Sequence, residues 1–449
     1  MATAVSTDQP RGPFANPWIQ LVAGIICMAA VANYQYGWTY FVPAMQDANG
    51  WSNANIQWAF TCFVTLEVWI VPIEGPLVDK YGPKLLVLFG GIIAGIGWII
   101  NAHAGSVQML WVGNAVAGIG AGMVYGTCIG NAVKWFGARR GLAAGLTSMG
   151  FGIGAAFTVI PILHMIKVSG YAYTFEFFGI AQAIIVVIAS LVLVMPPKTL
   201  KAAEALWAGR GAQAYSAPKP TVLQGTRDYT PGEVIVSPVF WVMFVMFTLV
   251  AAGGLTAVAQ LASIAKDFYI DQIPVTFIVW SQATLAWTGI LNNIVNGLTR
   301  PILGGLSDRL GRENTMFVAF LLEGIGIFLL WKFGTTPVAF VLLAGVVFFA
   351  WGEIFSIFPA TMRDHFGQKF ATTNYGMLYM AKWVGSFGAP IAGYVTAATH
   401  GWSMVLIIAA IMNIVAALMA MFVLKPLRIW DVRRSQAGIS GAPSAAPAS

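Results

Sequence analysis

The chain has 449 residues, 58% of them hydrophobic and only 9% charged, with a formal net charge of +7. A soluble domain carries about 25% charged residues, so this composition excludes a soluble globular protein and points to a chain that crosses a membrane many times. The basic excess falls in short stretches between apolar runs rather than on one face, which sets nucleic acid aside as a partner.

The first 17 residues are polar, with Arg11 the one basic residue. The apolar run that follows is longer than a signal-peptide core and reads as a retained first helix. A bilayer span needs about 20 apolar residues. In chain order such runs are 18–43, 54–77, 84–102, 107–133, 141–166 and 172–195, then 237–264, 274–303, 313–333, 336–360, 372–398 and 402–425. They predict an all-α membrane protein of twelve transmembrane helices. An N-terminal six-helix bundle (1–195) precedes a polar central loop (196–236), a C-terminal six-helix bundle (237–425) and a disordered tail (426–449) rich in Ala, Ser, Pro and Gly. Lys and Arg crowd the loops after even-numbered spans, while Lys167, Lys266 and Lys332 alone fall in the others. That asymmetry predicts that both termini and the central loop are cytoplasmic. Trp18, Trp51 and Trp402, near span ends, read as interfacial anchors.

Two loops repeat one pattern. GPLVDKYGPK follows span 2 and GGLSDRLGRE follows span 8, each with Gly, Asp four residues on, a basic residue, then Gly. Asp79 and Asp308 stand about half a chain apart, as a duplicated six-helix unit requires. Each Asp can accept hydrogen bonds at a helix N-terminus or pair with a nearby cation, which makes the two a candidate conformational latch. The plain alternative is a solvated tight turn.

Arg300 and Lys382 lie within apolar spans. A cation at that depth costs a few kcal/mol on insertion scales and is normally paired or lines a polar path. Together they form a counter-charge for a small anion. Ser281, Thr284, Thr288, Asn292, Asn296 and Arg300 recur at steps of three and four along span 8. Tyr375, Tyr379, Lys382 and Ser386 do so in span 11, and Asn33, Tyr36 and Tyr40 in span 1, with Gln35 and Thr39 beside them. Such stripes face the interior, either lining a cavity or hydrogen-bonding neighbouring helices. Glu67, Glu74, Glu323 and Glu353 also lie in spans. Glu67 and Glu353 are the deeper pair and the candidates for charge or proton coupling: each either carries a proton or neutralises a cation such as Lys382. Pro301 removes a donor beside Arg300 and predicts a bend in span 8. Glycines four apart in span 4 (Gly118, Gly122, Gly126, Gly130), with Gly141 and Gly145 in span 5, predict close, sliding helix contacts.

No enzyme signature is present. The sequence has no GKS or GKT phosphate loop, its glycine runs follow no strand, and His103, His164, His365 and His400 have no ligand spacing, so no cofactor or metal is expected. Cys27, Cys62 and Cys128 fall in apolar runs and read as buried hydrophobes.

The loop signature, twelve spans and the six-plus-six division resemble the major facilitator superfamily. Within it, YQYGWTYFVPAMQ, GAGMVYGTCIGNAVKWFGARRGLAAG, GLTRPILGGLSDRLGR and NYGMLYMAKWVGSFG resemble the oxalate:formate antiporter family. The resemblance implies that Arg300 and Lys382 hold a carboxylate substrate in a pocket walled by Tyr36, Tyr125, Trp351 and Tyr379. It implies an antiporter for oxalate, formate or a related anion, working by alternating access in a bacterial inner membrane. Glu67 and Glu353 depart from that family's pattern and keep open a proton-coupled monocarboxylate (lactate or formate) symporter. A membrane sensor or scaffold is the reading from outside transport.

Overall fold

The computed structural model describes residues 13–136, 140–195, 222–225 and 227–440. Among these, nine apolar stretches are long enough to cross a membrane by length and composition. One, Leu142–Ser190, holds two spans, because Gly170 (φ 81°, ψ 165°) breaks the helix. The two further long helices, spans 8 and 11, carry Arg300 and Lys382. Twelve spans result, and the polar pair that supplies the buried cations falls outside a purely apolar definition.

Helix ends follow local chemistry. Asn16 and Ser52 cap spans 1 and 2 by accepting the backbone N–H groups of Trp18 and Asn55 at 3.0 and 3.3 Å. Pro83, Pro238 and Pro337 begin spans 3, 7 and 10, where a missing N–H costs nothing. The last glycines of the repeated loop motif, Gly82 (φ 83°) and Gly311 (φ 92°), turn the chain in a conformation that only glycine adopts freely. Arg312, the first residue of span 9 (Arg312–Phe333), pairs with Asp308 at 2.6 Å and Asp364 at 2.8 Å. Asp79 lies in the last turn of span 2 (Asn53–Tyr81), and its side chain lies outside the described residues.

Four spans are interrupted; in span 5 a 3-10 turn (Gly154–Phe157) and Thr158 part Arg140–Ile153 from the helix that begins at Val159. Span 1 runs Pro17–Val31, Asn33–Tyr36 and Trp38–Asn49. Span 10 runs Pro337–Trp351 and Ile354–Phe366, and span 11 runs Ala371–Ser386 and Gly388–Thr399. Span 8 (Thr284–Leu310), by contrast, is helical straight through Pro301. The irregular backbone is therefore in spans 1, 5, 10 and 11, not at the proline. It is tolerated at membrane depth because it is buried in protein.

Two expectations are corrected. Span 8 begins at Thr284, not 274: Pro274–Phe277 and Trp280–Ala283 form an antiparallel hairpin. The hairpin packs on the start of span 8, with Phe277 and Trp280 5.1 and 4.7 Å from the Trp287 ring and Trp287 Nε1 donating to the Val275 carbonyl. Ser281 is thus a strand residue and not part of the span 8 stripe. Second, residues 426–440 are not a disordered tail: span 12 (Ser403–Met419) passes through a π-turn (Ala420–Leu424) into the helix Lys425–Ser440. Arg428 anchors that helix to Glu313, and Val432 is buried. The distal tail, 441–449, lies outside the described residues, as does most of the central loop.

The end of that loop is held in place. Thr230 and Glu233 form a reciprocal capping box. The Thr230 N–H and then the Arg227 guanidinium hold the Glu233 carboxyl down at about 2. Asp228 accepts the backbone N–H groups of Gln368 and Lys369 at 2.7 and 3.0 Å, just before span 11.

Span 4 (Val107–Phe136) lies flush on span 2. A Cβ at Gly118 would stand 2.3 Å from the Phe63 carbonyl, and one at Gly122 would stand 2.6 Å from the Glu67 carbonyl. These glycines therefore seat the backbone that carries Glu67, rather than sliding against span 5. Gly122→Ala is expected to lower stability by about 1–3 kcal/mol, the usual cost of overpacking. A thermal melt in detergent checks this, with Gly130→Ala, which meets nothing within 4 Å, as control.

On the face opposite the central loop the two halves are tied together. Lys266 Nζ meets Asp47 at 2.7 Å, Gln57 Nε2 donates to the Ala259 carbonyl at 2.7 Å, and Thr61 Oγ1 donates to the Ser386 carbonyl at 3.0 Å. The middle of the molecule, between the halves, holds the charged side chains.

Candidate functional site

Arg300 is 1% exposed and reaches into the first half of the chain. Its Nη1 donates to the Ser148 carbonyl at 2.6 Å. Its Nη2 donates to Tyr36 Oη and to Asn296 Oδ1, each at 3.2 Å. Tyr36 Oη in turn donates to Asn296 Oδ1 at 3.2 Å. Nε has no hydrogen-bond partner. No carboxylate pairs with Arg300 among the described residues. A buried guanidinium held by neutral groups alone keeps its full charge for a ligand.

Lys382, also 1% exposed, is held differently. Its Nζ donates to Glu67 Oε2 at 2.7 Å, to Gln35 Oε1 at 2.9 Å and to Tyr379 Oη at 3.3 Å. Glu67 is fully buried and its Oε1 has no partner. The deep acid of span 2 therefore sits on the lysine of span 11.

One ring lies against both cations. The Phe355 ring centroid is 4.8 Å from the Arg300 guanidinium carbon and 5.8 Å from Lys382 Nζ. Its electron-rich face attracts both. Tyr125 and Tyr379 stack at 6.1 Å with planes 9° apart, and Tyr36 meets Phe151 and Trp351 edge-on at 5.5 and 6.4 Å. Trp351 in turn packs edge-on against Phe355 at 5.4 Å. A small cavity opens behind Tyr36, lined by Thr39, Tyr40, Asn292, Asn293 and Phe348.

The structure thus gathers Arg300, Lys382, Tyr36, Tyr125, Trp351, Tyr379 and Glu67 into one buried cluster drawn from both halves. It leaves three sequence candidates elsewhere. Asp79 and Asp308 lie in the last helical turns of spans 2 and 8. Glu353 sits at the break in span 10, fully buried, with neither carboxylate oxygen hydrogen-bonded and with neither cation as its partner. Asn33 and Tyr40 also turn away: Asn33 Oδ1 accepts from Thr158 at 2.6 Å, and Tyr40 abuts Gly289.

Gln35, Asn296, Phe151, Phe355 and the Ser148 carbonyl belong to the cluster and were not singled out by sequence as site residues. Gln35 and Tyr36 both reach inward because the helix breaks at Ala32 and Gly37, which lets neighbouring positions share a side. Trimming Trp351 or Tyr379 to Ala opens the aromatic wall and is expected to admit longer carboxylates. A binding panel of graded chain length checks this, and unchanged selectivity in both variants would make these rings packing alone.

The sequence pattern of the Major Facilitator Superfamily matches residues 23–280 and 253–446. The chain is 31% identical over 423 residues to the oxalate:formate antiporter of Oxalobacter formigenes, covering 93% of this chain and 94% of that protein. It is 25% identical over 372 residues to an MFS-type transporter of Escherichia coli, covering 82% and 85%. A shorter stretch of 145 residues, 32% of this chain and 28% of the relative, is 25% identical to mouse monocarboxylate transporter 14. With twelve spans and a charged cluster buried between two six-helix halves, the chain belongs to the major facilitator superfamily, within its oxalate:formate antiporter family, and is a multi-pass membrane transporter rather than an enzyme.

Proposed function

We propose that the protein exchanges small carboxylates, of the size of oxalate and formate, by alternating access around Arg300 and Lys382. One observation carries this reading: a buried guanidinium without a carboxylate partner and a buried ammonium lie against the same phenyl ring, that of Phe355. The planar fork of Arg300 suits a carboxylate, and its unpartnered Nε adds a third donor. The rings of Tyr36, Trp351, Tyr125 and Tyr379 crowd the cluster, which favours a compact anion. The name of the Oxalobacter formigenes relative agrees with that substrate class.

The state described is occluded, with both cations 1% exposed. Substrate enters when the halves part on the face of the central loop, opposite the ties of Asp47, Gln57 and Thr61. Asp79 and Asp308 serve as the latch at the two equivalent loops, with Arg312 and Asp364 holding Asp308 in place within its own half. We place both termini and the central loop in the cytoplasm of a bacterial cell, on the strength of the Lys and Arg distribution.

Ligand-induced thermal stabilisation of the purified protein, with oxalate, formate, acetate, lactate and succinate as the panel, tests the substrate class. Stabilisation by the smallest carboxylates is the expected result. Stabilisation by none of them would overturn the reading.

A further inference from the structure

Lys382 already has a carboxylate. Glu67 Oε2 occupies it at 2.7 Å, in a position that a substrate carboxylate bridging from Arg300 would need. The cluster therefore carries two cations and one fixed anion, a net charge of one positive. A monocarboxylate on Arg300 neutralises it. A dicarboxylate that also engages Lys382 has to displace Glu67. The displaced carboxylate would then stand in a buried site with no cation, since its other oxygen is already without a partner. An isolated buried charge is removed by taking up a proton.

We infer that Glu67 is an exchangeable internal anion that takes a proton whenever a dicarboxylate binds and gives it up when a monocarboxylate replaces it. The inference rests on the carboxylate site proposed above. The proton comes from the compartment the site faces and adds to a Glu67 carboxylate oxygen as the Glu67–Lys382 ion pair breaks and a substrate–Lys382 pair forms. On release the steps reverse and the proton leaves with the substrate. The loaded site then holds two cations and two anionic carboxylates in total with a dicarboxylate and protonated Glu67, or the same balance with a monocarboxylate and ionised Glu67. Exchange of a dianion for a monoanion thereby moves one proton with the dianion and no net charge.

The groups around Glu67 allow this. From span 11 it meets Lys382, which also donates to Gln35 of span 1 and to Tyr379 and feels the field of Arg300 from span 8; the phenols of Tyr36, Tyr125 and Tyr379 lie within the electrostatic reach of Glu67. Glu74, the next acid along its own helix, stands two turns away beside Gly126. Glu67 is thus the one carboxylate of the cluster among the described residues, and the proton has no rival acceptor on Lys382.

The test uses the full chain in proteoliposomes loaded with formate and a pH dye, with oxalate added outside and the potassium gradient clamped by valinomycin. Wild-type protein is expected to acidify the lumen in step with oxalate entry, at a rate indifferent to membrane potential. In the oxalate–formate exchange that remains, Glu67→Gln is expected to lose the acidification and to respond to potential. Potential-driven exchange without acidification in the wild type would overturn the inference, as would unchanged acidification in Glu67→Gln. Absence of any carboxylate flux in the wild type would instead overturn the carboxylate site itself.

Discussion

Arg300→Lys is expected to abolish useful carboxylate binding while the protein still folds. Three polar groups from two halves hold this guanidinium: the Ser148 carbonyl at 2.6 Å, and Tyr36 Oη and Asn296 Oδ1 at 3.2 Å. A lysine keeps the charge, but an ammonium cannot make the two parallel hydrogen bonds of the planar fork. It also cannot reach Ser148 across the interface and a ligand at once. Each lost hydrogen bond to a charged group is worth about 1.5–3 kcal/mol. Since every 1.4 kcal/mol is tenfold, affinity should fall by about ten- to hundredfold or more. Titration calorimetry with oxalate reads this directly. Wild-type affinity in Arg300→Lys would show that the guanidinium is structural.

Lys382→Met should be the most destabilising single change in the site. It leaves Glu67 fully buried without the Lys382 ammonium that donates to it at 2.7 Å. Breaking a buried ion pair by removing one partner costs about 3–5 kcal/mol, because the other charge is left uncompensated. Combining Lys382→Met with Glu67→Gln removes both charges and should recover most of the lost stability, since replacing a whole buried pair is often neutral. Denaturation in detergent of the two singles and the double measures the coupling. Additive losses would show that the 2.7 Å contact does not tie the two residues together energetically.

Some of this site was legible in the sequence, and the reason is cost. Arg300, Lys382 and Glu67 stand out in apolar runs because charge at membrane depth persists only where it is used or paired. What periodicity cannot supply is the pairing. Glu67 and Lys382 are 315 residues apart, and nothing in one span names its neighbour in the other half. Phe355 is one of 29 phenylalanines, distinguished only by lying against two cations. Ser148 contributes a carbonyl, which every residue has. Gln35 enters because span 1 breaks on either side of it, so that a residue off the apparent polar face turns inward.

The fold shows the same division. Twelve spans and the duplicated loop follow from hydropathy and from Gly82 and Gly311, whose positive φ explains why both copies end in glycine. The hairpin at 274–283 reads as the start of span 8 because its residues are as apolar as the span; only its docking on Trp287 separates the two. The helix Lys425–Ser440 is polar, and its order comes from the Arg428–Glu313 pair, a contact with span 9 that local composition does not reveal. Pro301 is carried within a continuous helix, while breaks fall at Gly37, at Gly352 and at Phe387, near the cluster residues Tyr36, Trp351 and Lys382, and at Gly154–Thr158 in span 5. Gly352 is held so close to span 8 that a Cβ there would stand 2.6 Å from the Asn296 carbonyl. The break thus brings Trp351 up to the pocket without a side chain in the way.

The central claim is that a small carboxylate crosses the membrane in exchange for another, held between Arg300 and Lys382. Labelled oxalate uptake into proteoliposomes loaded with formate, with unlabelled oxalate, or with an inert anion tests it most directly. Rapid uptake into the two carboxylate-loaded sets, little into the third, and none in any set with Arg300→Lys is the predicted result. Uptake that ignores the internal anion, or that survives Arg300→Lys unchanged, would contradict it.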